Sequence, residues 1–179
     1  MKATAVAHPI QGIVKYHGLR EEETRIPYHD SISVCTAPSN TRTTVEFGCD
    51  EDRFVVDGEK MDAGVERAKR VVEKVREQTG VGSGARVESE NSFPSNVGLG
   101  ASSSGFAALA VAALEAAGGD TSVRNASAVA RRGATSAARS VAGGFSRIRT
   151  SDRDERCYAE RLDDGFQTDE ADDHGGDLR

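Results

Sequence analysis

The spacing of apolar positions changes near residue 62. Before it, short segments rich in Val, Thr and Ile at 3–7, 31–36 and 41–47 are bounded by Pro, Ser, Asn or Gly, which predicts strands. Arg53 to Val56, followed by Asp57-Gly58, predicts a further strand ending in a turn. From Asp62 to Gln78, Val65, Ala68, Val71, Val72 and Val75 recur at helical spacing, while Glu66, Arg67, Lys69, Arg70, Lys74 and Arg76 lie elsewhere. That pattern predicts an amphipathic helix ended by Gly80 and Gly82. Ala85 to Glu90 alternates as a strand does, and Asn91 to Ser104 is a polar, glycine-rich loop. Gly105 to Ala117 is apolar on nearly every face, the mark of a helix buried between layers and stopped by Gly118-Gly119. A second helix begins at Asp120 or Thr121, either of which can cap it, and runs toward Gly133. Gly143-Gly144-Phe145 breaks that pattern, and after residue 149 periodicity is lost in a solvated, disordered acidic stretch. The expectation is an α+β fold over residues 1–149, a mostly antiparallel sheet with helices packed on one side, and a tail over 150–179.

Composition narrows the function classes. The 179 residues carry a net charge of −6, but residues 1–149 hold 19 Lys and Arg against 18 Asp and Glu, and residues 150–179 hold 4 Arg against 11 acidic residues. A neutral body without a basic stripe argues against nucleic acid as a partner, because backbone binding needs clustered cations. The longest apolar run, Phe106 to Leu114, is too short to span a bilayer, and no export signal opens the chain, so a cytoplasmic protein without membrane insertion is expected. Cys35, Cys49 and Cys157 are odd in number and far apart, with no metal-ligand spacing, so neither a disulfide framework nor a metal site is expected.

Three segments carry candidate chemistry. Asn91 to Gly105 contains Gly98-Leu-Gly100-Ala101-Ser102-Ser103-Ser104 between a predicted strand and a buried helix. Small residues let backbone N–H groups approach an anion, and a helix N-terminus adds partial positive charge, which suits a nucleotide phosphate. The spacing matches neither the P-loop nor the dinucleotide fingerprint, and a flexible loop capping a helix has the same composition. His8 to Gly18 places Lys15 just after an apolar pair, as a point-charge clamp on phosphate or as an exposed strand-end lysine. Ala130 to Phe145 sets Arg139 among small residues, where its fork can bind an oxyanion, although solvated helix arginines look the same.

In order and spacing, the three segments resemble the amino-terminal half of the mevalonate-pathway decarboxylases, members of the GHMP kinase superfamily. The matching runs are Val14-Lys15-Tyr16-His17-Gly18 with Asp30-Ser31-Ile32-Ser33, then Phe93-Pro94 through Gly98-Leu99 to Ser102, then Ala130-Arg131 through Ser136-Ala137, Arg139-Ser140 and Gly143-Gly144. The resemblance covers residues 3–147. It implies a GHMP-type domain, with ATP and Mg2+ as cofactors and phosphorylation of the tertiary 3-hydroxyl of mevalonate 5-phosphate or 5-diphosphate, followed by loss of phosphate and carbon dioxide. By the same resemblance, Gly98, Gly100, Ala101, Ser102, Ser103 and Ser104 form the phosphate loop, with Ser102 and Ser104 as hydroxyl ligands. Lys15 is implied as the catalytic lysine, with Tyr16 beside it at the phosphate end of the substrate, and Arg139 holds the carboxylate.

The chain departs from the pattern in two ways. His17, Leu19 and His29 stand where the family has Trp, Lys and Asn, which resembles the haloarchaeal branch that uses the monophosphate. Family members also exceed 300 residues, and their second half supplies the catalytic aspartate, part of the pocket and the homodimer surface. A truncated copy is therefore expected, either retaining family function in part or surviving as an inactive remnant or non-catalytic ATP-binding module. Asp152 and Asp154 are not expected to replace the aspartate, and Asp30 is expected to support its loop.

Overall fold

A computed structural model describes residues 1–94 and 98–162. Ser95, Asn96 and Val97 of the glycine-rich loop and the acidic residues from 163 onward lie outside the described residues. The strands are β1 (Lys2–Ala7), β2 (Ile10–Val14), β3 (Leu19–Glu21), β4 (Ile26–Pro27), β5 (Ser31–Cys35), β6 (Thr41–Cys49), β7 (Arg53–Val56), β8 (Glu59–Lys60), β9 (Gly84–Asn91), β10 (Phe145–Ile148) and β11 (Ala159–Arg161). The helices are α1 (Val65–Thr79), α2 (Ala101–Ala116), α3 (Val123–Arg131) and α4 (Thr135–Ala142).

Two sheets share the chain. One has the order β1-β6-β9-β7-β8 and the other β11-β10-β5-β2, with β3 and β4 as a small separate pair. Every pairing is antiparallel except β7 with β9, which are parallel because α1 crosses between them. Alternation decides which face is buried. Thr41, Thr43, Val45 and Phe47 of β6 and Ala85, Val87 and Ser89 of β9 point inward, and Arg42, Glu46, Arg86 and Glu88 point outward. Ala3↔Val45↔Val87 is one rung of that inward face. The core joins it to Val71, Val72 and Val75 of α1 and to the alanine-rich α2, which is buried on nearly all sides as its composition predicts. The alternation of β5 and β10 turns Ser31, Ser33 and Ser146 inward, so the second sheet offers a polar inner face to α4.

The structure corrects three sequence expectations. The glycine-rich stretch gives way to helix four residues early, so that Ala101 to Ser104 are the first turn of α2. Helix α3 is capped by Ser122, whose hydroxyl accepts the Asn125 N–H, rather than by Asp120 or Thr121, and Asp120 instead accepts the Ser122 N–H. Residues 150–162, read as part of a solvated tail, contain a 3-10 turn at Asp154–Arg156 and strand β11, which pairs with β10 through Ile148↔Ala159. The reason is a buried cation. Arg131 is fully buried and donates to the carbonyls of Thr24 and Cys157 and to the carboxylate of Asp154, which also binds Arg132. Nothing in the local pattern around 154 announces that partner. Among the described residues no helix is long and apolar enough to cross a membrane.

Candidate active site

The crossover His8-Pro9-Ile10, between β1 and β2, joins the three motif segments. The Ile10 N–H donates to the Ser103 hydroxyl at 3.3 Å, the Ser140 hydroxyl donates to the His8 carbonyl at 2.6 Å, and Thr36 donates N–H and hydroxyl to the Pro9 carbonyl. The glycine-rich loop, the Lys15 strand and the Arg139 helix therefore meet at one place.

The first turn of α2 is shaped for an anion. Gly98 and Gly100 both have positive φ, at 79° and 81°, and a Cβ on Gly100 would stand 3.3 Å from the Ile10 carbonyl. Gly100 caps the helix without a side-chain hydrogen bond, and the first turn has no acidic residue, so the N–H groups of Ala101 and Ser102 lead the helix dipole. They open on a cavity of about 470 Å³ between α2, α1 and the β7–β8 hairpin, floored by Phe106, Leu109 and Val87. Its charged groups are Asp57, which accepts both the N–H and the amide of Asn91, Glu59, Lys60 and Asp62 along the β8 side, and Arg67, which lies over the Phe106 ring at 5.0 Å. Burial pushes the Arg67 guanidinium below its ordinary value, with Arg25 and Arg70 adding to that.

The serines divide their work. Ser102 is exposed on the cavity, Ser103 is tied back to the Gly100 carbonyl at 2.6 Å, and Ser104 is fully buried with its hydroxyl 2.7 Å from that of Thr41. Ser104, expected as a hydroxyl ligand, is instead part of the core, and Ser102 alone of the three faces the cavity. Thr41, 63 residues away on β6, was not legible as its partner.

Arg139 is the second feature. It is 3% exposed, its Nε donates to the Ser33 hydroxyl at 2.9 Å, and its Nη1 donates to that of Ser31. Among the described residues no carboxylate pairs with it, and loss of hydration pulls its pKa down to about 10, with Tyr16 the one side chain acting against that. Eight residues earlier, Arg131 is equally buried and has Asp154. A guanidinium held by neutral hydroxyls, without a countercharge, is prepared for an anionic ligand. Tyr16 is half-buried just beyond β2, within electrostatic reach of Arg139. Lys15 is exposed just beyond β2, its stem folded over Gly12, where a Cβ would stand 3.2 Å from its Cγ.

Two carboxylates near the motif segments are occupied. Asp154 is bound to the two arginines, and Asp30 accepts the Thr150 N–H at 2.8 Å with Arg147 at 3.9 Å. Asp152 is exposed beside Ser151. Among the described residues no group of three or more His, Cys, Asp or Glu side chains is placed to hold a metal ion.

The diphosphomevalonate decarboxylase-like N-terminal domain model matches residues 7–159. The chain belongs to this family. It is 55% identical over 172 residues to the phosphomevalonate decarboxylase of Haloferax volcanii, covering 94% of this chain and 53% of the relative. It is 32% identical over 151 residues to the diphosphomevalonate decarboxylase of Bos taurus, covering 74% and 37%. Mevalonate diphosphate decarboxylase from Staphylococcus aureus superposes with a TM-score of 0.86 at 34% identity over 92% of this chain and 51% of that one. A structure of MDDEF in complex with MVAPP, AMPPCP and magnesium gives 0.84 at 36% identity, over 90% and 50%. The chain spans about half the length of the curated relatives it matches. The match to residue 159 agrees with β11 as a strand of the domain.

Proposed function

We propose that this chain is the ATP-binding and substrate-binding half of a mevalonate phosphate decarboxylase of isoprenoid synthesis, acting on mevalonate 5-phosphate in preference to the 5-diphosphate. The observation that carries the reading is Arg139, a buried guanidinium oriented by Ser31 and Ser33 with no carboxylate partner among the described residues, in a chain of this family. It would hold the substrate carboxylate and set the plane in which the carbon–carbon bond breaks. Identity to the Haloferax phosphomevalonate decarboxylase supports the monophosphate, as do His17, Leu19 and His29 at the family's Trp, Lys and Asn positions.

ATP would supply the phosphoryl group that turns the tertiary hydroxyl into a leaving group, accompanied by Mg2+. The first turn of α2 fits such a group: Ala101 and Ser102 present N–H donors, Ser102 a hydroxyl, and the glycine cap leaves room for phosphate. Lys15 would balance charge on the transferring phosphate and Tyr16 would orient the chain of the substrate.

A second reading, a nucleotide-binding module without turnover, is favoured by the occupied state of Asp154, bound to two arginines, and of Asp30, which accepts the Thr150 N–H. Calorimetric titration of the purified chain with ATP and Mg2+, mevalonate 5-phosphate and the 5-diphosphate, in high potassium chloride, separates these readings from none at all. Binding of nucleotide and tighter binding of the monophosphate is expected; a folded chain that binds none of the three refutes both. Phosphate release from ATP in the same mixtures then divides the enzyme from the module.

A further inference from the structure

His17 and His29, two of the residues that depart from the family pattern, are brought together. Their ring centroids lie 6.5 Å apart, and the His17 backbone N–H donates to Nε2 of His29 at 3.4 Å. A backbone amide can only donate, so Nε2 is the bare nitrogen and Nδ1 carries the hydrogen. Nδ1 lies 2.8 Å from the Asp30 carbonyl, the acceptor that this tautomer requires. One neutral tautomer satisfies both contacts. An imidazolium would satisfy only one, since two N–H groups would then face each other at Nε2.

The His29 side of this contact is fixed. Asp30 is held by the Thr150 N–H and flanked by Arg147, and the Tyr28 ring lies against Gly18, where a Cβ would stand 3.2 Å away. Gly18 itself has a φ of 73°, so the chain turns sharply onto that support. The loop bearing Lys15 and Tyr16 therefore rests on residues 28–30 at its far end, and its near end is β2.

We propose that neutral His29 is a positioning residue for Lys15 and Tyr16, and through them for the phosphorylated end of the substrate. The proposal rests on the mevalonate phosphate reading. The titratable and charged groups around the contact are Lys15, Tyr16 and His17 from the loop, Tyr28 and Asp30 from the His29 segment, and Arg147 from β10.

The test compares wild type, His29→Ala and His29→Gln, whose side-chain oxygen supplies an acceptor that does not titrate. Affinity for mevalonate 5-phosphate is measured at pH 8, alongside the His17 amide resonance in a 15N-labelled chain. His29→Ala binds roughly fivefold more weakly, the value of one hydrogen bond, and His29→Gln binds like wild type. The His17 amide moves in His29→Ala and keeps its wild-type position in His29→Gln. Wild-type affinity in His29→Ala, or a His17 amide that His29→Ala leaves unmoved, overturns the proposal. Absence of binding in every protein, with a His17 amide that moves in His29→Ala, refutes the substrate reading and leaves the His29 contact standing.

Discussion

Replacing Arg139 with Met should leave the fold nearly as stable while removing the carboxylate site. Burial pulls the pKa of Arg139 down to about 10, so its charged form is disfavoured in the folded state by about 3 kcal/mol at neutral pH, at about 1.4 kcal/mol for each tenfold in the equilibrium. A base whose folded pKa is lowered destabilises the fold wherever it is charged, so deleting the charge recovers that amount. Against it stand two hydrogen bonds to Ser31 and Ser33, each worth about 1.5 kcal/mol from a charged donor. The two nearly cancel, and the expected change in unfolding free energy is within about 1 kcal/mol of zero. Binding should respond in the opposite way, because truncating one partner of a buried ion pair costs about 2–4 kcal/mol, roughly 30-fold to 1,000-fold in affinity. Urea unfolding and calorimetric titration with mevalonate 5-phosphate measure both quantities. Arg131→Met is the internal comparison, since that guanidinium has Asp154 and two backbone carbonyls, and its loss should cost about 3 kcal/mol or more. A loss of more than about 3 kcal/mol for Arg139→Met, or unchanged affinity, would refute the assignment and make Arg139 a structural arginine.

Other consequences follow from the same coordinates. Gly133→Ala would place a Cβ 2.3 Å from the Phe106 ring, and a destabilisation of about 2–3 kcal/mol by urea midpoint is expected, with no change meaning that α3 and α2 are packed otherwise. Ser102→Ala should weaken ATP binding several-fold with stability unchanged, while Ser104→Ala should lower stability by about 1 kcal/mol through its lost bond to Thr41; the reverse result would exchange their roles. The Arg76 fork and the Ala85 N–H hold Asp52 below the ordinary carboxylate range, and Arg131 and Arg132 do the same for Asp154 against the opposing effect of burial. Lowered acid pKa values contribute stability that is complete above about pH 4 and is lost as pH falls through the folded values, so the urea midpoint should drop from pH 6 to pH 3. Asp52→Asn should flatten that drop, and an unchanged slope would contradict the role of the clamp.

Local pattern reached far into this protein. Helix α1 was legible from Val65 to Val75, because apolar residues three and four apart mark one face, and α2 from its unbroken alanine run. The glycines at 98 and 100 marked a loop before α2, and both take the positive φ that glycine adopts freely. Strands β2 and β10 were less legible, because both are short, β2 holds Gly12, and β10 turns Ser146 inward beside Ser31 and Ser33 of β5, where a sheet ordinarily turns Val or Ile. The serines are there because Arg139 lies above them.

Arg131 and Arg139 show where local reading stops. Both lie in one small-residue run, on short helices separated by a glycine, and nothing in that run distinguishes a structural arginine from a ligand-binding one. The difference comes from partners 23 and 108 residues away: Asp154 closes on the first, and among the described residues serine hydroxyls alone reach the second. Helical period and backbone preference are set by neighbours within a turn and are written in the chain. Which buried guanidinium meets a carboxylate and which meets hydroxyls depends on what the folded layers bring alongside, and tertiary packing alone decided it.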